Sequence, residues 1–169
     1  MPKIVAQITT VAHRKGREVQ PIRILVDADA CPVKQIIESV ARNSKLQVIW
    51  VASIEHNIDS NYGQVLVVDH APEAADLCIV NNTQPHDIVV TQDLGLASLV
   101  LAKGAQALTP SGKVLDENNM DALLAQRYIN KKARRQGYRI GRMAARTALD
   151  DREFKQALLD LIDGNDHEN

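Results

Sequence analysis

The sequence predicts a doubly wound α/β fold: a mostly parallel sheet with helices on both faces, and further helices at the C-terminal end. Three observations carry this. Apolar segments of strand length alternate with segments whose apolar residues recur at helical spacing. Most strand segments, such as IRILVD, LQVIWVA and VLVVD, are apolar throughout, which suits strands covered on both faces. The 169 residues, 45% hydrophobic and 24% charged, have ordinary single-domain composition, which excludes a disordered or collagen-like chain and argues against two full domains.

In chain order, residues 1–20 read as an N-terminal appendage: MPKIVAQITT has strand-like composition, but HRKGREVQ is a charged connector ending at Pro21. The first strand runs through IRILVD to Asp27. Pro32 then favours a helix start, where its missing N–H would be unsatisfied anyway, and Val33, Ile36, Ile37, Val40 and Ala41 give that helix an apolar stripe. A second strand covers 46–52, SIEHNIDSNYG is a loop around Gly63, and the strand VLVVD ends at Asp69. A helix over 72–81, the strand DIVVT, a helix over 94–103, the short strand QALTP and a turn at Ser111–Gly112 complete the alternation. From about residue 118 the chain is helical, broken near Gly137 and Gly141, with REFKQALLDLI as the last amphipathic helix. Residues 21–162 therefore form one domain, and 163–169 a frayed tail.

Cys31 and Cys78 are too few for a disulfide framework or a four-cysteine zinc site, and both lie in apolar surroundings, which reads as reduced, buried thiols. No apolar run approaches the ~20 residues of a membrane span, and the N-terminus lacks the apolar stretch of a secretory signal. A cytoplasmic protein without membrane contact is expected.

Ligands of open α/β sheets bind outside the carboxyl ends of the strands, and in this chain those ends carry aspartate. Asp27 ends the first strand with Asp29 two residues on, Asp69 ends the third, and Asp93 follows the fourth. Asp76, one turn into the next helix, can point back to the same rim. Crowded carboxylates repel one another and call for a cation. Mg²⁺ or Mn²⁺ favours carboxylate and water oxygens, and two such ions about 3.5–4 Å apart can stabilise both attacking and leaving oxygens in phosphodiester cleavage. Each residue also has an ordinary reading: Asp29 near a helix start, Asp69 as a turn former, Asp76 as a solvated helix residue. His70 is read as no catalytic base, because such hydrolysis can take its nucleophile from water.

At ILVDADACPV, EAADLCIVN and DIVVTQDLGLASLVLAKGA, together with the Arg/Gly-rich segment near the C-terminus, the chain resembles the bacterial YaiI/YqxD family of PIN-like domains. The resemblance implies a metal-dependent ribonuclease with acidic residues at the carboxyl edge of the sheet. It gives Asp27, Asp76 and Asp93 catalytic, metal-binding roles, makes Thr91 the supporting threonine, and adds Asp29 as a fourth ligand, with Asp69 a further candidate from its position.

Between residues 123 and 149 lie eight cations and no acid, including Lys131, Lys132, Arg134, Arg135, Arg139 and Arg142. Arginine forks suit phosphate oxygens, so RNA or another nucleic acid is the expected partner, with pairing to acidic residues after Asp150 or a homo-oligomer contact as the competing readings. The expected function is divalent-metal-dependent RNA cleavage. The alternatives are a non-catalytic nucleic-acid or protein binding module on the same scaffold, and, from the D-x-D of ILVDADACP, a haloacid-dehalogenase-type phosphatase.

Overall fold

The computed structural model describes residues 21–29, 31–56, 58, 60–71, 73–138 and 145–167; the expected appendage over 1–20 lies outside them. Eleven elements follow in the order β1 (Arg23–Asp27), α1 (Lys34–Ser44), β2 (Gln47–Ser53), β3 (Gln64–Val68), α2 (Ala74–Asn82), β4 (Ile88–Val90), α3 (Leu94–Ala102), β5 (Gln106–Leu108), β6 (Val114–Leu115), α4 (Glu117–Arg135) and α5 (Ala148–His167).

The sheet order is β3-β2-β1-β4-β5-β6, parallel except for β6, which pairs antiparallel with β5. This is the doubly wound layout that continuous apolar strands predict, because successive side chains leave a strand on opposite faces and both faces of the central strands are covered; the edge strand β3 departs from this, with Val65 and Val67 exposed despite its apolar run. Ile24, Val26, Trp50, Ile88 and Val90 pack under α1 and α5; Leu25, Ile49, Val51 and Val89 pack under α2, α3 and the first turn of α4.

The structure departs from the sequence reading at several boundaries. Pro32 lies in a turn, and α1 begins two residues later, at Lys34. The antiparallel edge strand β6 is too short to carry a periodicity. β2 and β3 are parallel neighbours joined over 54–63 with no helix among the described residues. Side chains hold that link against α1, β2 and the turn between them: Tyr62 donates its hydroxyl to the Leu46 carbonyl at 2.6 Å, Ser60 donates to Glu38 at 2.6 Å, and the indole N–H of Trp50 donates to the Tyr62 carbonyl at 2.7 Å. Gly63 makes the close approach to β2 possible: its φ is +93°, and a Cβ there would lie 2.5 Å from the Val48 carbonyl oxygen.

The tail expected to fray from residue 163 instead continues as helix to His167. Phe154, Leu158 and Ile162 bury one stripe of α5, and buried Asn165 extends the attachment by donating to the His86 carbonyl and to Gln106 Oε1. Cys31 is buried but Cys78 is only half-buried; both are free thiols, and burial pushes both pKa values up. No described helix is long and apolar enough to cross a membrane.

Candidate functional site at the strand switch point

The chain leaves β1 for β2 and β3 on one side and returns through α2 to β4 on the other, so the winding direction reverses between β1 and β4. Loops diverge at such a point and open a crevice at the carboxyl ends of the strands. Asp27 is the last residue of β1, and Thr91 and Asp93 follow β4 directly. Two segments that the sequence keeps more than sixty residues apart thereby become neighbours.

Thr91, 1% exposed, ties them together. Its hydroxyl donates to Asp27 Oδ2 at 3.1 Å, and its oxygen accepts the Asp93 backbone N–H at 3.0 Å. Asp93 is the N-cap of α3: Oδ1 accepts from the N–H groups of Gly95 at 2.7 Å and Leu96 at 3.2 Å. That cap supplies part of the helix's missing hydrogen bonding and places a carboxylate against the positive end of its dipole. Asp93 thus has a structural duty in addition to its expected role.

Asp29 also has a duty that the sequence did not suggest. Its Oδ1 accepts the Ser53 backbone N–H at 2.9 Å and lies 3.5 Å from His56 Nδ1, so it pins the loop after β1 to the end of β2. A loop anchor of this kind is a poor fit to the acid–base role that the phosphatase alternative gives Asp29.

A cleft of about 370 Å³ opens at this rim, and its acidic lining comprises Asp27, Asp29, Glu55, Asp69, Glu73 and Asp76. Glu55 and Glu73 were missed from sequence; the available signal was their position in the loops leaving the second and third strands. Asp69 is exposed at the outer strand, and neighbouring His70 sits 3.2 Å from Glu55 Oε1. Asp93 does not line this cleft but acts on it electrostatically. Burial is the main cause that pushes the Asp27 carboxyl above its usual range; the Thr91 hydroxyl opposes this, while Asp76, Asp29 and Asp93 add to it. Asp76, in the first turn of α2, is pushed up by burial and then by Asp93 and Glu73.

The donor set is carboxylate oxygen, the chemistry of hard cations. Among the described residues no group of three or more His, Cys, Asp or Glu stands ready to enclose a metal ion. The site therefore does not fit an ion that demands a complete protein cage. Carboxylate and water oxygens are the ligands Mg²⁺ and Mn²⁺ favour, and Mg²⁺ is commonly bound through one or two carboxylates plus substrate phosphate.

The expected nucleic-acid residues lie elsewhere. Lys131, Lys132, Arg134 and Arg135 are on α4, exposed, and none lines the acidic cleft; Arg139 and Arg142 lie outside the described residues. Arg127, Lys131, Arg134 and Arg135 line a separate cavity of about 500 Å³. The acidic and basic blocks of the sequence thus form two distinct concavities.

Residues 25–164 match the family described as "Uncharacterized BCR, YaiI/YqxD family". Relatives named "UPF0178 protein" include one from Natranaerobius thermophilus, 46% identical over 141 residues that cover 83% of this chain and 96% of the relative. Others come from Clostridium kluyveri, 45% identical with 83% and 93% covered, and Lachnoclostridium phytofermentans, 42% identical with 83% and 97% covered. No solved structure matches the chain.

Proposed function

The chain belongs to the YaiI/YqxD family, and from that premise we propose that it is a phosphodiester hydrolase acting on RNA with Mg²⁺ or Mn²⁺ at the switch-point cleft. The observation that carries this is Asp27: a half-buried carboxylate at the carboxyl end of the central strand β1, burdened by the negative charge of three other aspartates. Partly buried carboxylates crowded by like charge are characteristic of sites where a ligand supplies the missing charge.

Asp27 and Asp76 are the residues that would hold the cation, with Asp93 adding negative charge from the α3 cap. When bound, the cation supplies positive charge to the phosphoryl oxygens and to the attacking water. Thr91 keeps Asp27 Oδ2 in place, and through the Asp93 N–H it fixes the spacing of the two aspartate-bearing segments. Asp29 holds the loop between β1 and α1 against the end of β2. The paired-cation scheme expected from sequence would draw on the same two carboxylates, Asp27 and Asp76.

The lack of a three-ligand cage among the described residues favours one second reading, a nucleic-acid binding module without turnover. One experiment separates the two. The protein is incubated with single-stranded RNA, structured RNA, DNA and a phosphomonoester, in Mg²⁺, Mn²⁺ or chelator, beside Asp27→Asn and Asp93→Asn. Asparagine is also a good N-cap, so the second variant should keep α3. Cation-dependent RNA cleavage lost in both variants is the expected result. Binding without cleavage supports the module, and identical trace cleavage in all three proteins overturns the assignment of Asp27 and Asp93.

A further inference from the structure

Beyond its first two turns α4 leaves the body of the domain. Met120 and Leu123 pack against the core, and no described residue from 124 to 138 is buried. With 3.6 residues per turn, Arg127, Lys131, Arg134 and Arg135 extend the same face that Met120 and Leu123 use for packing. Core contact thus gives way to a row of cations along one side of a projecting helix, and these four side chains line the 500 Å³ cavity. Among the described residues none of these four side chains makes a hydrogen bond or ion pair. Like charges at i, i+3 and i, i+4 weaken a helix unless an anion lies between them, and the sequence supplies no acid from 123 to 149.

We propose that this face of α4 binds the sugar–phosphate backbone of a single-stranded nucleic acid. The proposal extends the reading of an RNA substrate but needs no chemistry at Asp27. Successive cations four residues apart are on the order of 6 Å apart along the helix, a spacing that lets consecutive phosphates each meet one. Arginine forks bind phosphate oxygens in pairs. Tyr128, 68% exposed at the flank of the row, offers a ring on which an unpaired base can stack, which favours a single strand over a duplex. Lys132 projects to a different side of the helix and does not line the cavity, so it serves as an internal control.

Binding is measured by fluorescence anisotropy with end-labelled 20-nucleotide RNA and DNA of one sequence. Chelator is present throughout, so failure of cleavage and failure of binding are read separately. Four phosphate contacts on a single strand give a log–log salt slope of about −3, or about 50-fold weaker binding at 200 than at 50 mM salt. Lys131→Ala should flatten the slope by about 0.7, Lys132→Ala should leave it unchanged, and combined alanine replacement of the four cations should remove the salt-dependent part at an unaltered melting temperature. RNA and DNA should bind within a few-fold, because a backbone contact does not read the sugar. The proposal is overturned by salt-insensitive affinity, by Lys132→Ala weakening binding as much as Lys131→Ala, or by a four-fold variant that binds as the parent does. It is equally overturned if that variant changes only the sedimentation of the free protein, which would make the face a contact between copies of the chain.

Discussion

Asp27→Asn should stabilise the cation-free protein near neutral pH and remove its response to divalent cations. Burial and three neighbouring aspartates disfavour the Asp27 carboxylate, while one hydrogen bond from Thr91 favours it. Asparagine keeps an oxygen to accept from Thr91 and discards the charge, so the net gain is about 1 kcal/mol, the scale of a typical charge-optimising substitution. For a chain of this size that is about 2–4 °C in melting temperature. If the proposed site takes Mg²⁺ with an affinity of about 1 mM, 10 mM Mg²⁺ should add about 1.4 kcal/mol to the parent, or roughly 3–6 °C. The variant should show almost none of this.

The pH dependence has a definite sign. An acid whose pKa is raised by folding binds its proton more tightly in the folded state, so its unfavourable contribution is absent below the unfolded value of about 3.9. It grows as pH rises towards the folded value and is constant above. The advantage of the variant should therefore be full near neutrality and vanish in acid. Trp50, the single tryptophan and fully buried, reports unfolding by its emission. A cation-free variant that melts below the parent near neutrality, or Mg²⁺ raising both proteins equally, would refute the charge-cluster argument.

Other perturbations probe the scaffold. Thr91→Val removes the hydroxyl that donates to Asp27 and orphans the Asp93 N–H, and should cost about 2–3 kcal/mol in urea unfolding together with any cation response. Asp87, 2% exposed, accepts two guanidinium hydrogen bonds from Arg23 and one from the Gln84 N–H; Asp87→Ala removes the countercharge, leaves the guanidinium only the Asn82 carbonyl, and should cost about 3 kcal/mol by the same measurement. Phe154→Ala empties the space between α5 and the sheet and should cost about 3–5 kcal/mol while leaving unchanged any melting-temperature response to Mg²⁺. Gly63→Ala drives a Cβ into the Val48 carbonyl at positive φ and should lower the melting temperature by several degrees, through a loss of about 2 kcal/mol.

Much of the fold is legible in the sequence because its signals are local. Apolar runs bounded by turn residues mark five of the six strands, and helical periodicity marks α1 and α5. The placement of Asp27 and Asp93 at strand ends follows from the same reading, since a buried apolar strand that opens into a polar loop does so at an identifiable residue. What stayed hidden has a short-range disguise. β6 has two residues, too few for any period. Asn165 looks like part of a polar tail, yet its amide caps a carbonyl and a side chain that belong to distant segments. Asp29 reads as a ligand beside Asp27, and nothing local signals that its Oδ1 also accepts a backbone N–H from β2.

The sequence by itself therefore determined the class of fold, the alternation of its elements and a set of carboxylates at the strand ends, because each depends on periodicity within one segment. Only the tertiary structure decided which of those ends meet. The order β3-β2-β1-β4-β5 sets β1 beside β4, brings Thr91 onto Asp27, leaves Asp69 exposed at the outer strand, and gives the basic face of α4 a cavity of its own. Strand order is a contest among long-range pairings that bury similar apolar surface, and no single segment carries the information that settles it.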